Sequence, residues 1–191
     1  MKSEKIKRII NSMGELPTLP TIYMKLTHLL NVSDSSIKKI SNIISEDQAI
    51  AAMVLKIVNS AAYGFSNKIG DLQRAIVILG LNEIKNLVLA TSMYKIVNQF
   101  EPSSAFDMQQ FWKHSIGCAI SAKVLAETAY IKDPEEVFTG GLLHDIGKLI
   151  HATYLRGEFN DVVADVVETG SQMSESEKKY WVLIMLRQGV F

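Results

Sequence analysis

Apolar residues recur every three or four positions along almost all of this chain, and no segment sustains the two-residue alternation of a half-buried strand. That period is met by helices, each turning one stripe inward, so the chain reads as all-α, a multi-helix bundle. Ile6, Ile9, Ile10 and Met13 form a first stripe, stopped by Gly14. The prolines of Leu16-Pro17-Thr18-Leu19-Pro20 interrupt the backbone, and the helix after them, from Thr21, carries Ile22, Leu26, Leu29 and Leu30. A third follows Asp34-Ser35-Ser36, with Ile37, Ile40 and Ile44 inward. Ser45 and Gln48 have capping-box spacing, so Ser45 is expected to open the helix of Ile50, Met53, Val54 and Ile57. Asp71 should cap residues 72–79, ended by Gly80, and Asn82 should cap residues 83–97.

Phe100 to Phe106, with Pro102 and two serines, is the best internal boundary, dividing residues 1–100 from 101–177 within one domain. A long helix over about 107–129 carries Trp112, His114 and Cys118. Asp133-Pro134-Glu135-Glu136 supplies a cap, a first-turn proline and acids at the positive helix end, opening a helix that continues into Gly140–His151. Twenty basic and twenty acidic side chains cancel, so no global charge draws the chain to nucleic acid. The two helices around Leu79-Gly80-Leu81 resemble a helix-turn-helix, but the second is too apolar and too poor in arginine to read a groove; nucleic acid is not an expected partner. Cys118 is the only cysteine, which rules out an intrachain disulfide. With no signal-type apolar region and no run of about 18 apolar residues, the expectation is a cytoplasmic protein without a membrane partner.

Chemistry concentrates in Gly140-Gly141-Leu142-Leu143-His144-Asp145-Ile146-Gly147-Lys148-Leu149-Ile150-His151, where two histidines, an aspartate and a lysine interrupt an apolar segment. Polar groups in such a wall are costly unless paired or coordinated. On a continuous helix His144 and Asp145 point about 100° apart yet can still reach one ion. Lys148 and His151 share the His144 face, and His114 could meet it from the preceding helix. Imidazole and carboxylate together suit a divalent metal ion. The histidines and the aspartate of this stretch, with His114, are therefore candidate donors to one ion.

His114-Ser115 followed by His144-Asp145-Ile146-Gly147-Lys148 resembles the HD-domain superfamily of metal-dependent phosphohydrolases, which implies His114, His144 and Asp145 as metal ligands and, in an active enzyme, a catalytic role for Lys148 near developing negative charge. A closer resemblance spans nearly the whole chain. Leu16-Pro17-Thr18-Leu19-Pro20, Asp47-Gln48-Ala49, Val58-Asn59-Ser60-Ala61-Ala62-Tyr63-Gly64, Ala75-Ile76-Val77-Ile78-Leu79-Gly80 and Phe111-Trp112-Lys113-His114-Ser115 are similar to motifs of the HDOD family, a divergent branch of that superfamily. The resemblance implies an HD-like bundle in the second half. It also implies a regulatory module of bacterial signalling that binds a partner protein or small ligand, with metal-dependent phosphohydrolase or phosphodiesterase activity as the alternative. The superfamily's later metal-binding aspartate has only Asp161 and Asp165 to map onto, closer to Asp145 than the pattern usually places it, so the implied ligand set is incomplete.

Residues 178–191 depart from the family pattern, in which a glycine, an Asp-His pair and a further glycine resemble the usual run at this point. Reading permissible codons from Lys179 two bases out of frame yields Ile-Leu-Gly-Ile-Asp-His-Ala-Glu-Ala-Gly-Arg-Phe, which does resemble it. The expectation is a frameshift near Lys178 that leaves apolar surface near the C-terminus uncovered and favours homo-oligomers. Sequencing the gene across the paired lysines should find codons compatible with the shifted frame; one incompatible codon excludes the frameshift.

Overall fold

Helix dominates the described residues, and no strand occurs among them. The computed structural model describes residues 19–31 and 36–187. The stripe of Ile6 to Met13, Leu16 to Thr18, Asp34-Ser35 and residues 188–191 lie outside these, as do the side chains of Trp181 to Leu186. Two compact units account for the chain. One takes residues 19–99 with Ile116–Leu142, and the other takes Phe100–Ser115 with residues 143–187.

In the first unit, α1 (Thr21–Leu30), α2 (Ile37–Ser45), α3 (Gln48–Val58) and α4 (Leu72–Leu79) gather around α5 (Leu81–Val97). α5 packs against α1, α3 and α4. Ile84, Asn86, Val88, Leu89, Ser92, Met93 and Val97 are buried and together cover more than half its circumference. α4 meets it at 109° through Gly80, whose φ of +81° suits the missing Cβ.

Three local expectations are corrected. Asp47 caps α3, accepting from the N–H groups of Ala49 and Ile50 at 3.0 and 3.2 Å, while the Ser45 hydroxyl donates back to the Ser41 carbonyl and ends α2. The carboxylate wins because it also pairs with Lys95 at 2.6 Å. Asn82 lies inside α5, because Gly80 itself makes the turn. Ile37 and Met53 face solvent, since burial on their helices follows Ile40 and Ile44, and Ile50, Val54 and Val58.

Asn59 fixes the irregular stretch after α3. Its amide nitrogen donates to the carbonyls of Leu55 and Ile69 at 2.7 and 2.8 Å, and its oxygen accepts from the Ile69 N–H at 2.8 Å. One side chain thus supplies the backbone partners a neighbouring strand would give. The unit also takes the C-terminal part of α6 (Met108–Thr128) and nearly all of α7 (Pro134–Leu143). These two approach closely at Gly141.

In the second unit, α9 (Arg156–Thr169) packs against α8 (Ile146–Tyr154) and α10 (Met173–Arg187). Phe106 sits between the rings of Phe111 and Phe159, at 5.4 and 5.8 Å, and the Ser103 N–H donates to the Ala152 carbonyl at 2.7 Å. The backbone of α10 passes Lys178 and continues as helix to Arg187. The single helix expected through Gly140–His151 is broken: α7 stops at Leu143, His144 and Asp145 form a turn, and α8 starts at Ile146.

A Cβ on Gly141 would stand 2.8 Å from the Ala119 Cα, whereas one on Gly140 would meet open space. In urea unfolding, Gly141→Ala should lose about 1–3 kcal/mol through overpacking. Gly140→Ala should lose nothing and gain up to about 1 kcal/mol of helix propensity.

Candidate functional site

The break after Leu143 creates the site. With Asp145 at φ −104° and ψ 8°, the backbone leaves the helix, and neighbouring side chains that a helix would splay apart converge. His144 Nε2 lies 3.4 Å from Asp145 Oδ2. α6 brings His114 to the same point, its Nε2 3.2 Å from His144 Nε2 and 3.4 Å from Asp145 Oδ2. All three expected metal ligands therefore meet. The carboxylate forms the floor, 14% exposed, and the imidazoles form the mouth, 54% exposed for His114 and 38% for His144.

Donor atoms on a tetrahedral ion with bonds of about 2.1 Å stand about 3.4 Å apart. The observed 3.2–3.4 Å triangle fits such an ion, and the donor types suit zinc, iron or manganese. The same triangle also holds together without one, because one neutral imidazole can donate an N–H to the other. Lys148, one turn into α8, places Nζ 2.7 Å from the same Asp145 Oδ2, and its N–H donates to the Asp145 carbonyl at 2.9 Å. The oxygen nearest both imidazoles is thus already paired with an ammonium.

Other candidates lie elsewhere. His151 does not share the His144 face. It lines a cavity of about 20 Å³, room for one water, with Leu155, Phe159, Glu177 and Tyr180. Burial lowers its pKa despite the opposing charge of Glu177. Asp161 is exposed. Asp165 is buried and engaged: the ammonium of Lys179 and the Ser176 hydroxyl both donate to its carboxylate. These bonds hold the Asp165 carboxyl below the ordinary carboxylate range. Reading the sequence did not single out Cys118 as a donor. It stands one turn after His114 on α6, and the four-residue spacing was the available signal.

Residues 16–184 match the HDOD domain model, and the chain belongs to the HDOD family. It is similar to an HDOD domain protein of unknown function from Geobacter sulfurreducens, at 26% identity and a TM-score of 0.76, covering 91% of this chain and 58% of that one. Two more distant structures share the fold. A candidate signal-transduction protein from Marinobacter aquaeolei VT8 gives 23% identity, a TM-score of 0.60 and coverage of 79% and 34%. A candidate metal-dependent phosphohydrolase from Shewanella amazonensis SB2B gives 21%, 0.52 and coverage of 93% and 62%. The chain spans less than two fifths of the length of the curated relatives it matches.

Any zinc or manganese uptake at this triangle, followed by calorimetry, should weaken at least about tenfold in His114→Ala and in His144→Ala and stay unchanged in Asp165→Asn. A lowered carboxyl pKa contributes stability that is present above its unfolded value, about pH 4, and lost as pH falls through the folded value. Asp165→Asn should therefore flatten the loss of stability below about pH 4.

Proposed function

We propose that this HDOD chain is a regulatory module of a signalling protein, which recognises a partner protein or a small ligand rather than turning over a substrate. The observation that carries this reading is the Lys148 ammonium, 2.7 Å from the one carboxylate oxygen shared by both imidazoles. An ion entering the triangle must compete with that ammonium for the oxygen lone pairs and bear its repulsion. The later carboxylate that could add charge to the set, Asp165, is committed to Lys179 and Ser176. In this reading the cluster is a polar lock, joining His114 of α6 to the turn that opens α8. Family membership and the signalling assignment carried by the Marinobacter structure's name support it.

The second reading is a metal-dependent phosphohydrolase, and the 3.2–3.4 Å convergence favours it. His114, His144 and Asp145 would hold a divalent ion, which supplies Lewis acidity toward a phosphoryl oxygen and an activated water. Lys148 would then stabilise negative charge on the substrate.

Turnover of phosphomonoesters and nucleotide phosphodiesters, assayed with added manganese or zinc, separates the two. The regulatory reading expects no metal-dependent hydrolysis above background. It fails if hydrolysis is found and is abolished by both His144→Ala and Asp145→Ala.

A further inference from the structure

α6 turns its bulk the wrong way for a chain that exists alone. Its buried positions in the first unit are small, Ala119 and Ala126, while Ile116, Ile120 and Val124 face solvent at 40%, 52% and 52% exposure. These three, with Lys113 and Glu127 beyond them, are spaced 3, 4, 4 and 3 residues apart. At 100° per residue all five fall within about 40° of one line along the helix. Lys113 and Glu127 are both exposed at the ends of that line.

The spacing is a palindrome about Ile120 with opposite charges at its ends. We propose that this face of α6 is a homodimer surface, packing antiparallel on α6 of a second copy about a two-fold axis through Ile120. Under that symmetry Ile120 meets itself, Ile116 meets Val124 of the second copy, and Lys113 meets Glu127 of the second copy twice over. No like charges oppose one another along the line. Gly117, where a Cβ would find only open space, completes a hole with Lys113, Ile116 and Ile120 that receives Val124 of the second copy. Glu127 is available for the pairing: its contact with Lys123 is a loose 4.0 Å, whereas Lys123 lies 2.6 Å from Glu83 and 3.2 Å from Glu135. A parallel pair would instead set Lys113 against Lys113 and Glu127 against Glu127, so the charges select the antiparallel form.

Two such faces bury on the order of 1,000 Å² in total, the low end of specific interfaces, so the expected dimer is reversible and micromolar. The surface is independent of whether the histidine cluster holds a metal ion.

Sedimentation equilibrium of the full chain over about 1–200 µM should show a monomer–dimer equilibrium. Ile120→Arg should raise the dissociation constant at least about tenfold, as for a central interface residue. Glu127→Lys should also weaken the dimer, and adding Lys113→Glu should restore it. In a Cys118→Ser background, Ile120→Cys should form a disulfide with its own counterpart under mild oxidation, and Val124→Cys should form far less. Circular dichroism confirms that each variant is folded. A wild-type monomer throughout, as expected if another protein covers this face, overturns the proposal. So does a dimer indifferent to Ile120→Arg, or a double charge swap that fails to rescue.

Discussion

The candidate site depends on one carboxylate. Asp145 is 14% exposed, and its Oδ2 is approached by two imidazole nitrogens and one ammonium within 3.4 Å. A carboxylate this enclosed must be compensated, and Lys148 does so from one turn away on the helix that Asp145 precedes. The cluster therefore closes on itself. Removing Lys148 would leave Asp145 as the negative floor of a two-imidazole cup, the form best suited to a cation. The distance between a polar lock and a metal centre is thus one side chain, and the two functional readings differ on the same point.

That carboxylate reaches the imidazoles only because the backbone breaks at Leu143. Had the helix of Gly140 to His151 continued, His144 and Asp145 would diverge by about 100°. Elsewhere, the fold uses side chains and a missing side chain to fix backbone that helices alone would leave loose. Asn59 holds Ile69 through both its N–H and its C=O, and Gly141 lets α7 touch the backbone of α6. Asn59 lies in a sequence stretch that resembles the family pattern. Each of the two residues has a local physical reason to be that residue: an amide that both donates and accepts, and a position with no room for a Cβ.

Much of this was legible in the sequence. Helical periodicity gave the fold class, and Asp71, Gly80 and Pro134 marked real element boundaries. His114, His144 and Asp145 could be named together from the resemblance of their motifs, but the turn that brings them to one point could not. The misses share a cause. Ser45 against Asp47 as the cap of α3 turned on Lys95, a partner 48 residues away, and local spacing cannot register such a partner. His151 was placed on the His144 face by counting along an unbroken helix, and the turn at His144-Asp145 invalidated the count. Asp165, a position onto which the later metal-binding aspartate could map, is instead engaged by Lys179 and Ser176 of α10.

α6 shows most clearly where pattern reading stops. Its apolar residues run all round, so a single inward stripe cannot be picked out. The structure resolves this by burying alanines and exposing isoleucine and valine. Small inward residues serve close backbone approach: a Cβ added at Gly141 would stand 2.8 Å from the Ala119 Cα. The large outward residues gain nothing from the chain's own core. Hydrophobic surface of that kind, bounded by one lysine and one glutamate at matched distances, has the ordering of an interface and not of scattered surface residues. The same helix also delivers His114 to the polar cluster. Its sequence therefore answers three demands at once: a ligand or lock residue, a close-packed inner face and an ordered outer one.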